Sequence, residues 1–169
     1  MTRHLRLFRY LAYSLEIFVL FLLQQTPGFV PDVWGIRPTL LIPVALCIAL
    51  FEPEPVAMWF GVACGLLIDF GAGGALGVHA LLLAAMGYAL SGLVANLFKT
   101  NLLTACLLGG CGILLLYLLQ WLLFYVLPGY GQAGYALWRH FLPRAAYTLL
   151  LLPLAYYFNR AFAVLLRER

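Results

Sequence analysis

The sequence predicts an all-α polytopic membrane protein of about six transmembrane helices, and three observations predict it. Of its 169 residues 65% are hydrophobic and only 9% charged, whereas soluble domains carry about 25% charged residues. Apolar runs near or above the ~18-residue length of a membrane span recur along the whole chain. Five polar or Pro/Gly-rich breaks cut those runs into six segments. Water is therefore not the solvent for most of this surface, and residues 1–169 read as one integral membrane domain with no soluble module.

The first segment, about residues 8–25, follows Arg3, Arg6 and Arg9. It has the outline of a signal sequence. Its apolar stretch runs too long for one, however, contains Glu16, and leads into "QQTPGF" with no small-x-small cleavage site, so a retained helix is expected. A break rich in Pro and Gly and holding Asp32 ends at Arg37. The second segment, about 38–51, stops at "EPEP", and the third, about 55–70, stops at "GAGG". At 1.5 Å per residue these two reach only about 21 to 24 Å, short of the ~30 Å hydrocarbon core. Re-entrance would carry Glu52 and Glu54 into the bilayer, at about 2.5 to 3.5 kcal/mol for each charge at mid-depth. Two short spanning helices with local thinning of the bilayer are expected instead. The fourth segment, about 76–98, stops at "KTN", and the fifth, about 102–127, at Pro128. The sixth, about 143–166, opens on Pro143 and contains Pro153, which should kink it, because apolar sequence continues on both sides. Pro38, Pro55 and Pro143 each open a segment, where a missing N–H costs least.

A formal net charge of +4 raises the question of nucleic acid. The basic residues stand singly at the ends of apolar segments rather than on one face, so no nucleic-acid partner is expected. They act as topology determinants. With the N-terminus inside, Arg3, Arg6, Arg9, Lys99, Arg160, Arg167 and Arg169 lie on the inner side and Arg37, Arg139 and Arg144 on the outer. This excess predicts that both termini are cytoplasmic. Cys47, Cys64, Cys106 and Cys111 all fall within apolar runs, without metal-ligand spacing, and read as small buried apolar residues.

The third and fourth segments carry the most information. Ala57, Gly61, Gly65 and Asp69 recur every fourth residue, and so do His79, Gly87, Ser91 and Ala95 if Leu83 is admitted. Small residues at that spacing let backbones approach closely in lipid, so Gly61, Gly65, Gly87 and Ser91 are expected to pack the two helices as a tight hairpin. Asp69 ends one stripe and His79 begins the other, so their side chains are expected to meet at the outer mouth of the hairpin. Such a pair is either a proton or polar-ligand site or a structural contact that fixes register. Glu16 lies mid-helix, with Arg6, Arg9 and Gln24 too far along the axis to neutralise it; it must face the bundle, contact a partner, or carry a proton. Gly109, Gly110 and Gly112 read as a further packing site. Nothing in the chain supplies a nucleophile with a base, a phosphate loop or a metal cluster, so no catalytic, cofactor-binding or metal residue is expected and the protein is read as a non-enzyme.

From Arg37 to Tyr88 the chain resembles MreD, the rod shape-determining membrane protein of bacteria. The residues that carry the resemblance are "RPTLLIPVALCIALF", a short charged-proline turn, and "GVACGLLIDFGAGGALGVHALLLAAMGY". Gly65, Leu66, Leu67 and Asp69 match a Gly-Leu-Leu-x-Asp block; Leu76, Gly77, His79, Ala80 and Leu81 match Leu-Gly-x-His-Ala-Leu, followed by Gly87 and Tyr88. Weaker similarity covers "QQTPGF" and "PRAAYTLLLLPLAYYFNR". The resemblance implies a non-enzymatic inner-membrane scaffold of the cell-elongation machinery, needed for rod shape and lateral peptidoglycan synthesis. Its implied partners are an MreC-like bitopic protein, MreB, RodA, a penicillin-binding transpeptidase and membrane lipid. It also implies a fold similar to the substrate-binding subunits of energy-coupling-factor vitamin transporters, and such a subunit is the alternative function. Asp32, Arg37, Gln132, Arg139, His140 and Arg144 are the outer residues open to a vitamin ligand under that alternative.

Overall fold

The computed structural model describes residues 2–29, 35–73, 76–97 and 101–165. Asp32, Phe98, Lys99, Leu166, Arg167 and Arg169 lie outside the described residues, as do Gly74, which ends "GAGG", and Ala75. The chain folds as a helical bundle: α1 Thr2–Gln25, α2 Leu41–Phe51, α3 Glu54–Ala72, α4 Val78–Leu97, α5 Leu102–Trp121, the short α6 Ala133–Ala136 and α7 Leu142–Leu165. Five helices among the described residues are long and apolar enough to cross a membrane, and this is a multi-pass membrane protein.

α2 is the exception, and it organises the rest. It has only 11 residues, which at 1.5 Å per residue gives about 16 Å. Residues Leu41 to Leu50 are all buried. A helix that is apolar all round belongs either in lipid or inside protein; α2, too short for a full span, is enclosed by protein, touching α1, α3, α4, α5 and α7. The second segment was expected to be helical from Pro38. Instead the chain from Arg37 to Thr39 is non-helical, with Pro38 and Thr39 buried. Irregular backbone is tolerated at membrane depth when it is sheltered by protein. Here the amide of Leu40 donates to Gln24 Oε1 at 2.8 Å, and Thr39 Oγ1 accepts from Tyr117 Oη at 3.3 Å. The third segment, in contrast, is not short: α3 runs for 19 residues, about 28 Å, enough to span without thinning.

The carboxy-terminal part also departs from expectation. α5 continues through a π-helical stretch, Leu122–Val126. α7 does not open at Pro143, because α6 and a second π-helical stretch, Leu137–Phe141, run straight into it. Pro143 therefore lies within continuous helix, and the widened turn ahead of it gives its ring room against the preceding carbonyls. Pro153 lies inside α7, which continues on both sides of it. α1 sits at the edge of the bundle and exposes Leu7, Phe8, Leu11, Leu15, Phe18 and Leu22. Of the cysteines, Cys47 and Cys64 are buried, Cys106 is partly buried, and Cys111 is exposed on the lipid-facing surface of α5 rather than inside the bundle.

Candidate functional site

α3 and α4 form the most extensive contact in the molecule, and Gly61, Gly65 and Gly87 lie in it. A side-chain carbon added at Gly61 would stand 2.5 Å from the Leu83 carbonyl oxygen, and one at Gly87 would stand 2.9 Å from that of Ala57. At Gly65 it would overlap the backbone of Ala80. All three obstacles are main chain, which cannot swing aside as a flexible side chain does. Ser91 extends the stripe differently: its hydroxyl donates to the Glu52 carbonyl oxygen at 2.6 Å, tying α4 to the turn between α2 and α3.

At the opposite end of the hairpin the structure brings Asp69 and His79 together, with His79 Nδ1 2.6 Å from Asp69 Oδ1. The contact is part of something larger. Asp69 also accepts the backbone N–H groups of Gly77 at 2.8 Å, His79 at 3.3 Å and Ala80 at 3.4 Å. These amides belong to the start of α4, which has no partners for them within the helix. A carboxylate at that end also meets the positive pole of the helix dipole. The turn can bring α4 under Asp69 because Gly73 and Gly77 take left-handed φ values of +61° and +96°, which cost glycine little. Asp69 is 1% exposed, and the His79 ring stacks on Phe124 in the π-helical stretch after α5, centroids 6.5 Å apart. The arrangement can hold α3, α4 and α5 in register.

Two polar clusters were not read from the sequence as clusters. Arg9 on α1 lies with Nε 2.7 Å from Glu52 Oε1, and its Nη2 donates to Glu52 Oε2 at 3.0 Å. Tyr13 Oη adds a hydrogen bond to Oε1 at 3.3 Å. Burial pushes the Glu52 carboxyl above the ordinary carboxylate range, and the Arg9 guanidinium opposes that shift. Glu52 is therefore not a solvated loop acid. A signal was present: its loop joins two apolar segments with no polar run long enough to lift it away from the bundle. Second, Glu16 faces the bundle and meets Asn159 on α7, whose Nδ2 donates to Glu16 Oε1 at 3.2 Å. Asn159 is fully buried. An isolated Asn in one apolar span is the natural complement of an isolated Glu in another, and "YYFNR" displayed it. Glu16 also lines an apolar groove of about 420 Å³ between α1 and α7, with Leu15, Val19, Leu154 and Phe158 among its walls.

The outer residues considered for a vitamin ligand do not gather. Gln132 and His140 line a shallow depression of about 430 Å³ with Tyr125, Tyr130 and Tyr135, whereas Arg37, Arg139 and Arg144 are exposed and do not line it. Among the described residues no group of three His, Cys, Asp or Glu side chains is placed to share a metal ion.

No curated protein and no solved structure matches the chain. The family model described as rod shape-determining protein MreD matches residues 5–161, a stretch that takes in the whole α3–α4 hairpin, the central α2 and most of α7. With nearly its full length matched, this chain belongs to the MreD family of rod shape-determining membrane proteins.

Proposed function

We propose that the protein is a non-enzymatic scaffold of the bacterial cell-elongation complex in the inner membrane, and that it binds an MreC-like bitopic partner through its membrane helices. The observation that carries this reading is the family match over residues 5–161. Physical chemistry supports the mode of binding. The described residues build membrane helices and brief connections, so affinity for another protein must come from helix faces, where close packing and polar anchors act as glue in lipid. α1 presents the largest such face, since few of its residues are buried against the rest of the bundle. MreB, RodA and a penicillin-binding transpeptidase complete the proposed assembly. Within it, Asp69, His79 and the stripe of Gly61, Gly65, Gly87 and Ser91 keep the hairpin in one shape. Depleting the protein in a rod-shaped host should round the cells, and affinity purification from native membrane should recover the MreC-like partner. Intact shape combined with loss of uptake of one vitamin would replace this reading with the transporter one.

Both termini are proposed to face the cytoplasm. Arg9 and the Glu52 turn share one end of the bundle, and with the N-terminus inside, seven of the ten basic residues of the sequence fall on the cytoplasmic side. Reporter fusions at either terminus should report a cytoplasmic location. A periplasmic signal from either one overturns the topology.

A further inference from the structure

We infer that Glu16 and Asn159 form a proton-holding pair, a carboxylic acid hydrogen-bonded to a carboxamide, which latches α1 onto α7. Two buried polar atoms of the pair are orphaned. Asn159 Nδ2 donates to Glu16 Oε1 at 3.2 Å and to the Ala155 carbonyl oxygen at 2.9 Å. Those two bonds use both N–H groups of the amide and fix which way it points. Glu16 Oε2 and Asn159 Oδ1 are left, both sealed from solvent and both without a hydrogen-bond partner. Each is an acceptor, and each belongs to one of the two groups already in contact. Buried acceptors left without a donor are costly. One proton on Glu16 Oε2 makes that oxygen a donor and gives Asn159 Oδ1 the hydrogen bond it lacks.

Among the described residues no donor is placed on either orphaned oxygen. On α1 itself, Arg9 stands seven residues earlier and is held by Glu52, and the Tyr13 hydroxyl is likewise spent on Glu52. α2 presents Cys47 and α3 presents Cys64, both fully buried thiols. On α7, Arg160 follows Asn159 but is exposed. Oε2 itself is enclosed, although the Glu16 side chain borders the apolar groove between α1 and α7. The proton is a structural part of the α1–α7 contact. Removing it leaves a carboxylate against a carbonyl oxygen, so the latch should weaken as pH rises, the direction expected when the folded state holds a proton that the exposed chain releases.

The test is infrared spectroscopy of the full-length protein in lipid nanodiscs, comparing wild type with Glu16→Gln and following each with pH. At neutral pH the wild type should show the C=O stretch of an undissociated carboxylic acid that is missing from Glu16→Gln. That band should fade on alkaline titration together with a fall in thermal stability. Glu16→Gln should fold and lose this pH dependence, because its amide supplies both the acceptor and the donor that the protonated acid supplies. If Glu16→Gln cannot be recovered, Asn159→Leu takes its place and should shift the same band, since the acid loses its carbonyl partner. An ionised Glu16 at neutral pH, seen as no acid band that either variant alters, overturns the proposal. So does a wild-type stability that is flat across the titration while the band disappears.

Discussion

Gly65→Leu should abolish accumulation of the protein in the membrane, and Gly61→Leu should come close to doing so. Overpacking a well-packed interior costs about 1 to 3 kcal/mol where side chains can shift. At Gly65 and Gly61 the obstacle is the α4 backbone itself, at Ala80 and Leu83. The added atoms can be accommodated only by prising the hairpin apart, which breaks the largest helix contact in the molecule. Gly87→Leu should follow the same course more mildly, its added carbon lying 2.9 Å from a carbonyl oxygen. Gly131, with nothing near it, and Gly110, which meets only the end of the Leu149 side chain, supply controls: Gly131→Ala and Gly110→Ala should leave abundance near wild type. Detergent melting curves and quantitative blots of membrane fractions measure both sets. Unchanged stability in Gly65→Leu and Gly61→Leu would falsify the packing claim.

Asp69→Ala should destabilise the protein by about 3 to 5 kcal/mol, the cost of breaking a buried pair from one side. It strips the amides of Gly77, His79 and Ala80 of their acceptor at the same time as it frees the His79 ring. His79→Ala should cost distinctly less, about 1 to 2 kcal/mol, because it leaves the three backbone hydrogen bonds to Asp69 in place. Asp69→Asn should fall between them, keeping an oxygen acceptor while losing the second one. Melting temperatures of the three variants in one detergent settle the order. Equal losses in Asp69→Ala and His79→Ala would show that the side-chain contact, rather than the cap on α4, holds the turn.

The legible parts of this molecule are those where a residue type leaves its position little choice. Glycines at every fourth residue in an apolar run have few uses besides close helix approach, so Gly61, Gly65 and Gly87 could be placed against the opposite helix before any coordinates were known. Asp69 and His79 flank a turn too short to separate them, so their meeting follows from chain geometry. What the turn concealed was the cap: that three amides of α4 converge on Asp69 depends on the left-handed φ of Gly73 and Gly77, which sequence allows but does not impose. α2 was harder still. Its 11 residues look like a short span, and only the surrounding helices show that it is a core element approached by an irregular, sheltered stretch.

By itself the sequence determined that this is an all-helical, multi-pass membrane protein, and it pointed to where apolar runs break and which two of them carry matching stripes of small residues. Each of these follows from local quantities: hydropathy over a window, the position of prolines, and the helical period of small residues. The tertiary structure alone decided that Arg9 answers Glu52 and that Asn159 answers Glu16, pairs separated by 43 and 143 residues. In an apolar solvent an ionisable side chain must find a polar partner wherever the fold brings one within reach, and contacts between such distant positions are fixed by how the helices are arranged, which no local property of the chain records.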